Sequence, residues 1–213
     1  MTRLYITRHG QTEWNVEGRL QGQKDSKLTE LGESQAIWLG ESLKDVEIDI
    51  IISSSSGRAM KTAELIRGNR DIEIMSNDNL REIHLGEWEG QLHLEIEKHS
   101  PDEQKNFWNF PHLYKIKDGE TFQQVFDRVT NEIERVLLDF QGKNILVVTH
   151  AVVLKSLITY FENKEIKDLW SGKFMNSTCL NIVEIKNDSR KFVLQGDTSH
   201  YPTEEGLYSN NNC

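Results

Sequence analysis

The chain has 213 residues, of which 37% are hydrophobic, and a formal net charge of -9. This length and apolar content suit one α/β domain with a substantial core, whereas the negative charge opposes nonspecific binding to nucleic acid. The longest apolar runs are far shorter than the ~20 residues that cross a bilayer, so no membrane partner is expected. Two cysteines, one of them the last residue, and no secretory signal pattern predict a cytoplasmic protein.

Short apolar runs alternate with amphipathic stretches, and this alternation predicts an α/β fold. Runs that suit strands buried on both faces occur at 4–7, 48–53, 72–75 and 145–148. Helical spacing of apolar residues occurs at 30–44, which Thr29 can cap, from 57 onward, at 122–140 and at 152–161. Two later runs, at 178–185 and 192–194, flank an Asn-Asp-Ser sequence and predict a hairpin.

The predicted architecture is a three-layer α/β/α domain over residues 1–201, with a mostly parallel sheet, one antiparallel edge strand and a small helical cap insertion. The insertion is assigned to 92–117, where two prolines interrupt the helical pattern. Its aromatic residues are candidates either for cap packing or for a substrate mouth; they are Phe107, Trp108, Phe110 and Tyr114. Residues 202–213 are predicted to be a disordered tail, and no oligomeric state is predicted.

Charged and polar side chains follow the ends of the first four predicted strands. Arg8 and His9 follow the first strand, Arg58 the second, Glu82 the third and His150 the fourth. Because parallel strands deliver their carboxyl ends to one sheet edge, these residues are expected to meet there. Two arginines, two histidines and a carboxylate are chemically complementary at such an edge.

This set of residues first suggests phosphoryl transfer, in which arginines bind the phosphoryl oxygens, a histidine attacks and a carboxylic acid protonates the leaving oxygen. Neither a Gly-Lys-Ser/Thr phosphate loop nor a Cys-based anion loop occurs in the sequence. A metallohydrolase built on His9, His84 and His150 is a second hypothesis. It is weaker, because the sequence has no helical His-Glu-x-x-His pair and two neighbouring arginines would repel a divalent cation.

A series of ordered motifs resembles the histidine phosphatase superfamily, also called the phosphoglycerate mutase-like family, over about residues 2–201. The motifs are Leu4-Tyr5-Ile6-Thr7-Arg8-His9-Gly10-Gln11-Thr12, Trp14-Asn15, Leu20-Gln21-Gly22, Leu28-Thr29 with Gly32 and Gln35-Ala36, Ser53-Ser54 with Arg58-Ala59 and Thr62-Ala63, Leu80-Arg81-Glu82, Gly86-x-Trp88-Glu89-Gly90, Gly119-Glu120-Thr121, and Val147-Val148-Thr149-His150. The resemblance is greatest to the broad-specificity bacterial phosphatases.

The resemblance implies a role for each matching residue. His9 would be the transiently phosphorylated nucleophile and Glu82 the proton donor to the leaving alcohol. Phosphoryl oxygens would be held by Arg8, Arg58 and His150. The remaining substrate-binding residues would be Asn15, Gln21, Gly22 and Ala151, the last at a position where the family often has glycine. For His9 to attack, its other ring nitrogen should donate to a fixed acceptor.

Within the family, the sequence favours a phosphatase acting on a small phosphorylated metabolite, with no cofactor and no metal. Cofactor-dependent mutases usually follow their acid with an Arg-x-Tyr-Gly-like stretch, whereas this chain has Ile83-His84-Leu85-Gly86. A mutase therefore remains the alternative. A noncatalytic phosphoanion-binding protein is a third hypothesis, which the combination of His9, Glu82 and His150 disfavours.

Overall fold

The β-branched runs of the sequence form one six-stranded sheet within the residues that the computed structural model describes, 1–186 and 189–202. The strands are β1 (Thr2–Arg8), β2 (Ile50–Ser54), β3 (Ile74–Asn77), β4 (Asn144–Thr149), β5 (Leu180–Lys186) and β6 (Ser189–Asp197). Their spatial order is β3-β2-β4-β1-β5-β6. The strands β1 to β4 are parallel, so their carboxyl ends lie at one edge, as the sequence predicted.

The terminal hairpin supplies the antiparallel part of the sheet. Strand β5 pairs antiparallel with β1, and β6 pairs antiparallel with β5. The reversed strand is therefore β5, one position in from the edge that β6 forms. The predicted turn includes residues 187 and 188, which lie outside the described residues, as does the predicted tail beyond residue 202.

Helices cover both faces of the sheet. They are α1 (Glu13–Glu17), α2 (Glu30–Ser42), α3 (Gly57–Arg67), α4 (His93–His99), α5 (Pro101–Asn109), α6 (Phe122–Asp139) and α7 (Ala151–Phe161). Alternate residues of the central strands point to two separate apolar clusters, one with α6 and α7 and the other with α2 and α3. This confirms the three-layer fold. Within the described ranges, no helix is long and apolar enough to cross a membrane.

Two local features differ from the sequence prediction. Strand β3 lies two residues later than expected, because its ladder with β2 pairs Ile51 with Ile74 and ends at Ser54 and Asn77. The short helix α1 has no apolar stripe and was not predicted; Thr12 caps it by accepting from the Asn15 amide. The predicted cap insertion is present as α4 and α5.

Two glycines bring the end of β1 against the start of α2. A Cβ atom on Gly10 would lie 2.3 Å from the Gly32 carbonyl oxygen, and a Cβ on Gly32 would lie 2.0 Å from the Gln11 carbonyl oxygen. Both contacts are with backbone, which no rotamer change can relieve. The loop that carries His9 is therefore fixed by close backbone contact with α2.

Gly32→Ala is expected to destabilise the protein by about 1–2 kcal/mol. The energetic cost of forcing a methyl group against backbone atoms is larger than the ~1 kcal/mol by which alanine is more favourable than glycine within a helix. Thermal unfolding would measure this as a fall in Tm. Ser34→Ala, at a half-buried position of the same helix whose hydroxyl donates only to the Glu30 carbonyl, is the matched control and should leave Tm nearly unchanged. A Gly32→Ala variant as stable as the native protein would contradict the close approach.

Candidate active site

The ends of the parallel strands bring the predicted residues together. The His9 amide donates to the Thr149 carbonyl at 2.9 Å, which joins the end of β1 to the end of β4. The rings of His9 and His150 consequently lie 5.2 Å apart between centroids. Arg58 enters from the first turn of α3, and Glu82 from the loop after β3.

A cavity of about 330 Å³ opens at this edge of the sheet. Eight of the nine predicted site residues line it: Arg8, His9, Asn15, Gln21, Gly22, Arg58, Glu82 and Ala151. His150 is fully buried behind them and does not line the cavity. The predicted residues therefore gather at one edge of the sheet, with His150 one layer deeper than the rest.

The His9 imidazole is buried and has a defined tautomer. Its Nδ1 lies 2.7 Å from the Gly10 carbonyl oxygen. Because a carbonyl can only accept, Nδ1 carries the proton, and in the neutral ring Nε2 keeps its lone pair. Burial lowers the pKa of His9 well below its ordinary value, and the positive charges of Arg58 and Arg8 lower it further. The structure thus confirms the expected fixed acceptor and favours a neutral, nucleophilic ring.

The Arg58 guanidinium is 2% exposed and is held in place by a neighbouring loop. It donates to the Gly22 carbonyl at 2.9 Å, the Lys24 carbonyl at 2.7 Å and the Asp25 carboxylate at 2.8 Å. Burial is the largest cause that lowers its pKa, but an arginine remains charged. The fixed charge at the cavity wall suits an oxyanion.

Arg8 adds a second buried positive charge to the same wall. Its Nη1 donates to the Met175 carbonyl at 2.9 Å. The whole residue is 5% exposed. Arg8 and Arg58 both lower the pKa of His9, so both charges act on the nucleophile position. An anionic phosphoryl group would be stabilised by both arginines in a region of low dielectric.

The Glu82 carboxyl group is 8% exposed and accepts two backbone hydrogen bonds. The Ile83 amide donates to it at 3.0 Å and the Val152 amide at 3.3 Å. Burial raises the pKa of Glu82, while these amides and the nearby arginines oppose the rise. The raised pKa favours the protonated form, which a general acid needs.

His150 occupies the N-cap position of α7 below the cavity, and its side chain makes no capping hydrogen bond to that helix. Its Nε2 lies 2.7 Å from the Ser54 hydroxyl, and its buried Nδ1 has no hydrogen-bond partner among the described residues. Burial lowers the pKa of His150 well below its ordinary value, so the ring is neutral. A neutral ring can still offer one N–H to an oxyanion.

Three predicted binding residues lie in the segment between β1 and α2, where the side chains of Asn15 and Gln21 bond within that segment. Asn15 Oδ1 accepts from the Thr12 amide at 3.1 Å, and Gln21 Nε2 donates to the Thr12 hydroxyl at 2.8 Å. Gly22 has a φ of +53°, and a Cβ there would lie 2.4 Å from Glu89 Oε1. Their primary effect is to shape the loop that holds Arg58.

The cavity also contains basic and aromatic residues that sequence reasoning missed. Arg19, Lys155 and Lys173 line it, as do Trp170 and Phe174. Lys155 is 5% exposed and donates to the carbonyls of Ser171 and Lys173, both at 2.8 Å, which fixes the 171–173 segment at the rim. Among residues 1–186 and 189–202, Glu82 is the single carboxylate in this lining, so this part of the chain forms a basic cavity although the whole chain is acidic.

Of the four aromatic residues considered in the cap insertion, two line the cavity and two do not. Phe107 and Trp108 line the cavity, whereas Tyr114 is buried within the core and Phe110 is 41% exposed away from the lining. Trp108 lies 5.1 Å from Trp170 between ring centroids. Phe107, Trp108 and Trp170 therefore form an apolar wall of the cavity, in addition to its basic residues.

The metallohydrolase hypothesis has no geometric support in the described ranges. His84 is outside the cavity lining, and its Nε2 lies 3.8 Å from Glu89 Oε1. Across residues 1–186 and 189–202, no three His, Cys, Asp or Glu side chains are arranged so that they could hold a metal ion.

Comparisons with known proteins identify a family that the chain resembles along most of its length. The histidine phosphatase superfamily (branch 1) matches residues 4–198. Phosphoserine phosphatase 1 of Hydrogenobacter thermophilus is 30% identical over 171 residues, 80% of this chain and 81% of that protein. The probable phosphoglycerate mutase GpmB of Salmonella arizonae is 35% identical over 159 residues, 75% of this chain and 74% of that protein.

A solved structure shows that the similarity extends to the three-dimensional fold. Bacillus stearothermophilus YhfR superposes with a TM-score of 0.92 at 44% identity, covering 94% of this chain and 99% of that one. The chain belongs to the histidine phosphatase superfamily. Its activity is that of a phosphatase.

Proposed function

We propose that the chain hydrolyses small phosphomonoesters through a phosphohistidine on His9. The observation that carries this proposal is the neutral His9 ring, with Nδ1 committed to the Gly10 carbonyl, in a cavity wall shared with two buried arginines. His9 Nε2 attacks phosphorus in line, forming a P–N bond as the P–O bond to the alcohol breaks. Glu82 transfers its proton to the leaving oxygen.

The second step returns the enzyme to its starting state. Glu82, now a carboxylate, takes a proton from a water molecule, and the water oxygen attacks phosphorus. The P–N bond breaks, its electron pair returns to His9 Nε2, and inorganic phosphate is released. Arg8 and Arg58 hold the phosphoryl oxygens through both steps, while the amino terminus of α7 and the N–H of His150 add partial positive charge.

The substrate class follows from the two kinds of residue that line the cavity. Arg8 and Arg58 take the phosphate, and the wall formed by Phe107, Trp108 and Trp170 takes apolar or aromatic carbon of the alcohol. Phosphoserine, in the name of the Hydrogenobacter relative, is one small phosphomonoester of the size that the cavity admits. A small phosphorylated metabolite is accordingly the proposed partner.

The direct test is phosphate release from a panel of phosphomonoesters, with a chelator present and no bisphosphorylated primer. Primer-independent release that the chelator leaves unchanged is the expected result. Activity that disappears with the chelator and returns with a divalent cation would contradict the proposal. Tight binding of esters without turnover would instead support a phosphoanion-binding protein.

A phosphoglycerate mutase is the second candidate. Arg19, Lys155 and Lys173 supply the basic residues that the sequence after Glu82 lacks, and they suit a substrate with a carboxylate beside its phosphate. The Salmonella relative carries that name. Isomerisation of phosphoglycerate that requires a bisphosphoglycerate primer, and exceeds hydrolysis, would favour the mutase.

The domain and the compartment are also proposals. We propose that residues 1–201 form one domain that acts in the cytoplasm, where the buried thiol of Cys179 stays reduced. Burial raises the pKa of Cys179 to about 11, which makes it unreactive. Limited proteolysis should release no stable fragment shorter than this domain; separation at 92–117 into two stable pieces would contradict it.

Trp108→Ala is expected to lower kcat/KM for aryl phosphates by about 10-fold, since a lost aromatic contact is worth about 1.4 kcal/mol. Binding of inorganic phosphate should be unchanged, because Trp108 lies on the apolar wall. Phe110→Ala removes a neighbouring aromatic residue outside the cavity and is the control. Equal effects of the two substitutions on aryl phosphates would contradict the assignment of this wall to the substrate.

A further inference from the structure

An ion pair lies directly behind the loop that carries Glu82. Arg128 of α6 donates from Nε to Glu120 Oε1 and from Nη2 to Glu120 Oε2, both at 2.9 Å. The two side chains are 19% and 22% exposed. We call this bidentate pair the acid-loop clamp. Neither residue lines the cavity, so the clamp does not touch substrate.

Each member of the clamp also binds backbone on one side of Glu82. Arg128 Nη1 donates to the Asn79 carbonyl at 2.8 Å and to the Arg81 carbonyl at 3.0 Å. Glu120 Oε2 accepts from the His84 amide at 2.9 Å. Glu82 and Ile83 therefore lie between two backbone positions that the same ion pair holds.

The Gly119-Glu120-Thr121 motif explains how the clamp reaches the loop. A Cβ on Gly119 would lie 2.6 Å from the His84 carbonyl oxygen, so glycine permits the close approach of the two backbones. The Glu120 amide then donates to that carbonyl at 2.8 Å. Thr121 caps α6 by accepting from the Gln124 amide at 3.3 Å. The clamp is thus anchored to the 18-residue helix α6, which packs against the sheet.

We propose that Glu120 and Arg128 are positioning residues that hold the 79–84 loop so that the Glu82 carboxyl group reaches the leaving oxygen. The inference rests on the proposed function, in which Glu82 is the proton donor. A displacement of about 1 Å in a reacting group can cost about 100-fold in rate. The clamp uses the planar fork of Arg128, which binds two carbonyls and a carboxylate at once; a lysine cannot reproduce this geometry.

The test uses the dependence of rate on the leaving group. An ester of an acidic phenol expels its alcohol without a proton, whereas an alkyl phosphate needs one. Arg128→Gln is expected to lower kcat/KM for alkyl phosphates by about 100-fold and for dinitrophenyl phosphate by less than about 3-fold. The comparison uses kcat/KM because this quantity ends at release of the alcohol and omits the later hydrolysis step, in which Glu82 acts as a base for every ester. Glu82→Gln, measured in parallel, gives the reference profile for complete loss of the acid.

The matched control is a second bidentate ion pair on the same helix. Arg190 donates from Nη2 to Glu134 Oε2 at 2.6 Å, which joins β6 to α6 away from the cavity. Arg190→Gln should affect alkyl and aryl esters equally. The rates of this variant on alkyl and aryl esters therefore show the effect of losing an ion pair that is purely structural.

Each outcome decides a separate claim. If Arg128→Gln lowers the rate equally on all esters, or does not lower it at all, the proposed positioning role of the clamp is wrong. A flat leaving-group profile in Glu82→Gln would instead contradict the proposed acid. If Arg128→Gln does not fold, Arg128→Lys and Glu120→Gln take its place, because each keeps most of the side-chain packing. Both should retain the stronger loss on alkyl esters, and a uniform loss in both would overturn the inference.

Discussion

Replacement of His9 by alanine should lower kcat by on the order of 10⁴-fold or more for every phosphomonoester, because it removes the atom that forms the P–N bond. The loss should not depend on the leaving group, since no phosphoenzyme forms with any ester. Steady-state phosphate release with an aryl and an alkyl phosphate measures it.

The His9→Ala variant should remain folded and should still bind inorganic phosphate. Arg8 and Arg58 keep their backbone partners at Met175, Gly22 and Lys24, none of which involves the His9 side chain. Thermal unfolding and phosphate titration are the controls. Turnover at the native rate in a folded variant would rule out His9 as the nucleophile.

Glu82→Gln should lower kcat/KM for alkyl phosphates by about 10²–10⁴-fold and for aryl phosphates with good leaving groups by much less, because kcat/KM covers only the steps up to release of the alcohol. It should also change the pH profile. Burial raises the pKa of Glu82, so in the native protein the protonated acid is lost, and activity falls, as pH rises through that value. Glutamine cannot ionise, so this fall at high pH should be absent in the variant.

The ratio of native to variant rates isolates this ionisation. The substrate phosphate titrates near pH 6 in both measurements and cancels in the ratio. The low-pH side of the profile should be common to both, because it reports protonation of His9, whose pKa burial lowers well below 6.5. A ratio that does not vary with pH would contradict the assignment of Glu82 as the acid.

The sequence predicted the site because parallel strands bring distant residues to one edge. Arg8, Arg58 and Glu82 are far apart in the chain, yet the alternation of strands and helices was sufficient to place them together. The parallel register of β1 with β4 made this possible, since it pairs Arg8 with Thr149 next to the second histidine. The tautomer of His9 was also foreseeable, because a nucleophilic ring needs its other nitrogen held.

The substrate end of the cavity was not predictable from local patterns. Lys155 lies on the helix predicted at 152–161, where no site residue was expected beyond the start of the helix, and its neighbours Trp170 and Lys173 come from an irregular segment with no periodicity. Their proximity to Trp108 depends on how the cap insertion folds over the sheet. Such contacts between segments more than 60 residues apart leave no spacing signal.

Overall charge gave an incomplete picture of the site. The net charge of -9 opposes nucleic-acid binding. Among the described residues, the cavity is nevertheless lined by Arg8, Arg19, Arg58, Lys155 and Lys173, with Glu82 as the one carboxylate. The acidic residues lie elsewhere in the chain, so overall charge did not reveal the local field that an anionic substrate would meet.

The most direct test of the account is to identify the residue that carries the phosphoryl group during turnover. The enzyme is mixed with an aryl phosphate, quenched into alkali within the first turnover and digested, and the phosphorylated peptide is located by mass spectrometry. We expect the phosphoryl group on His9, with loss of the label on acid treatment. A phosphoryl group on another residue, or its absence while the phenol is released in a burst, would contradict the account.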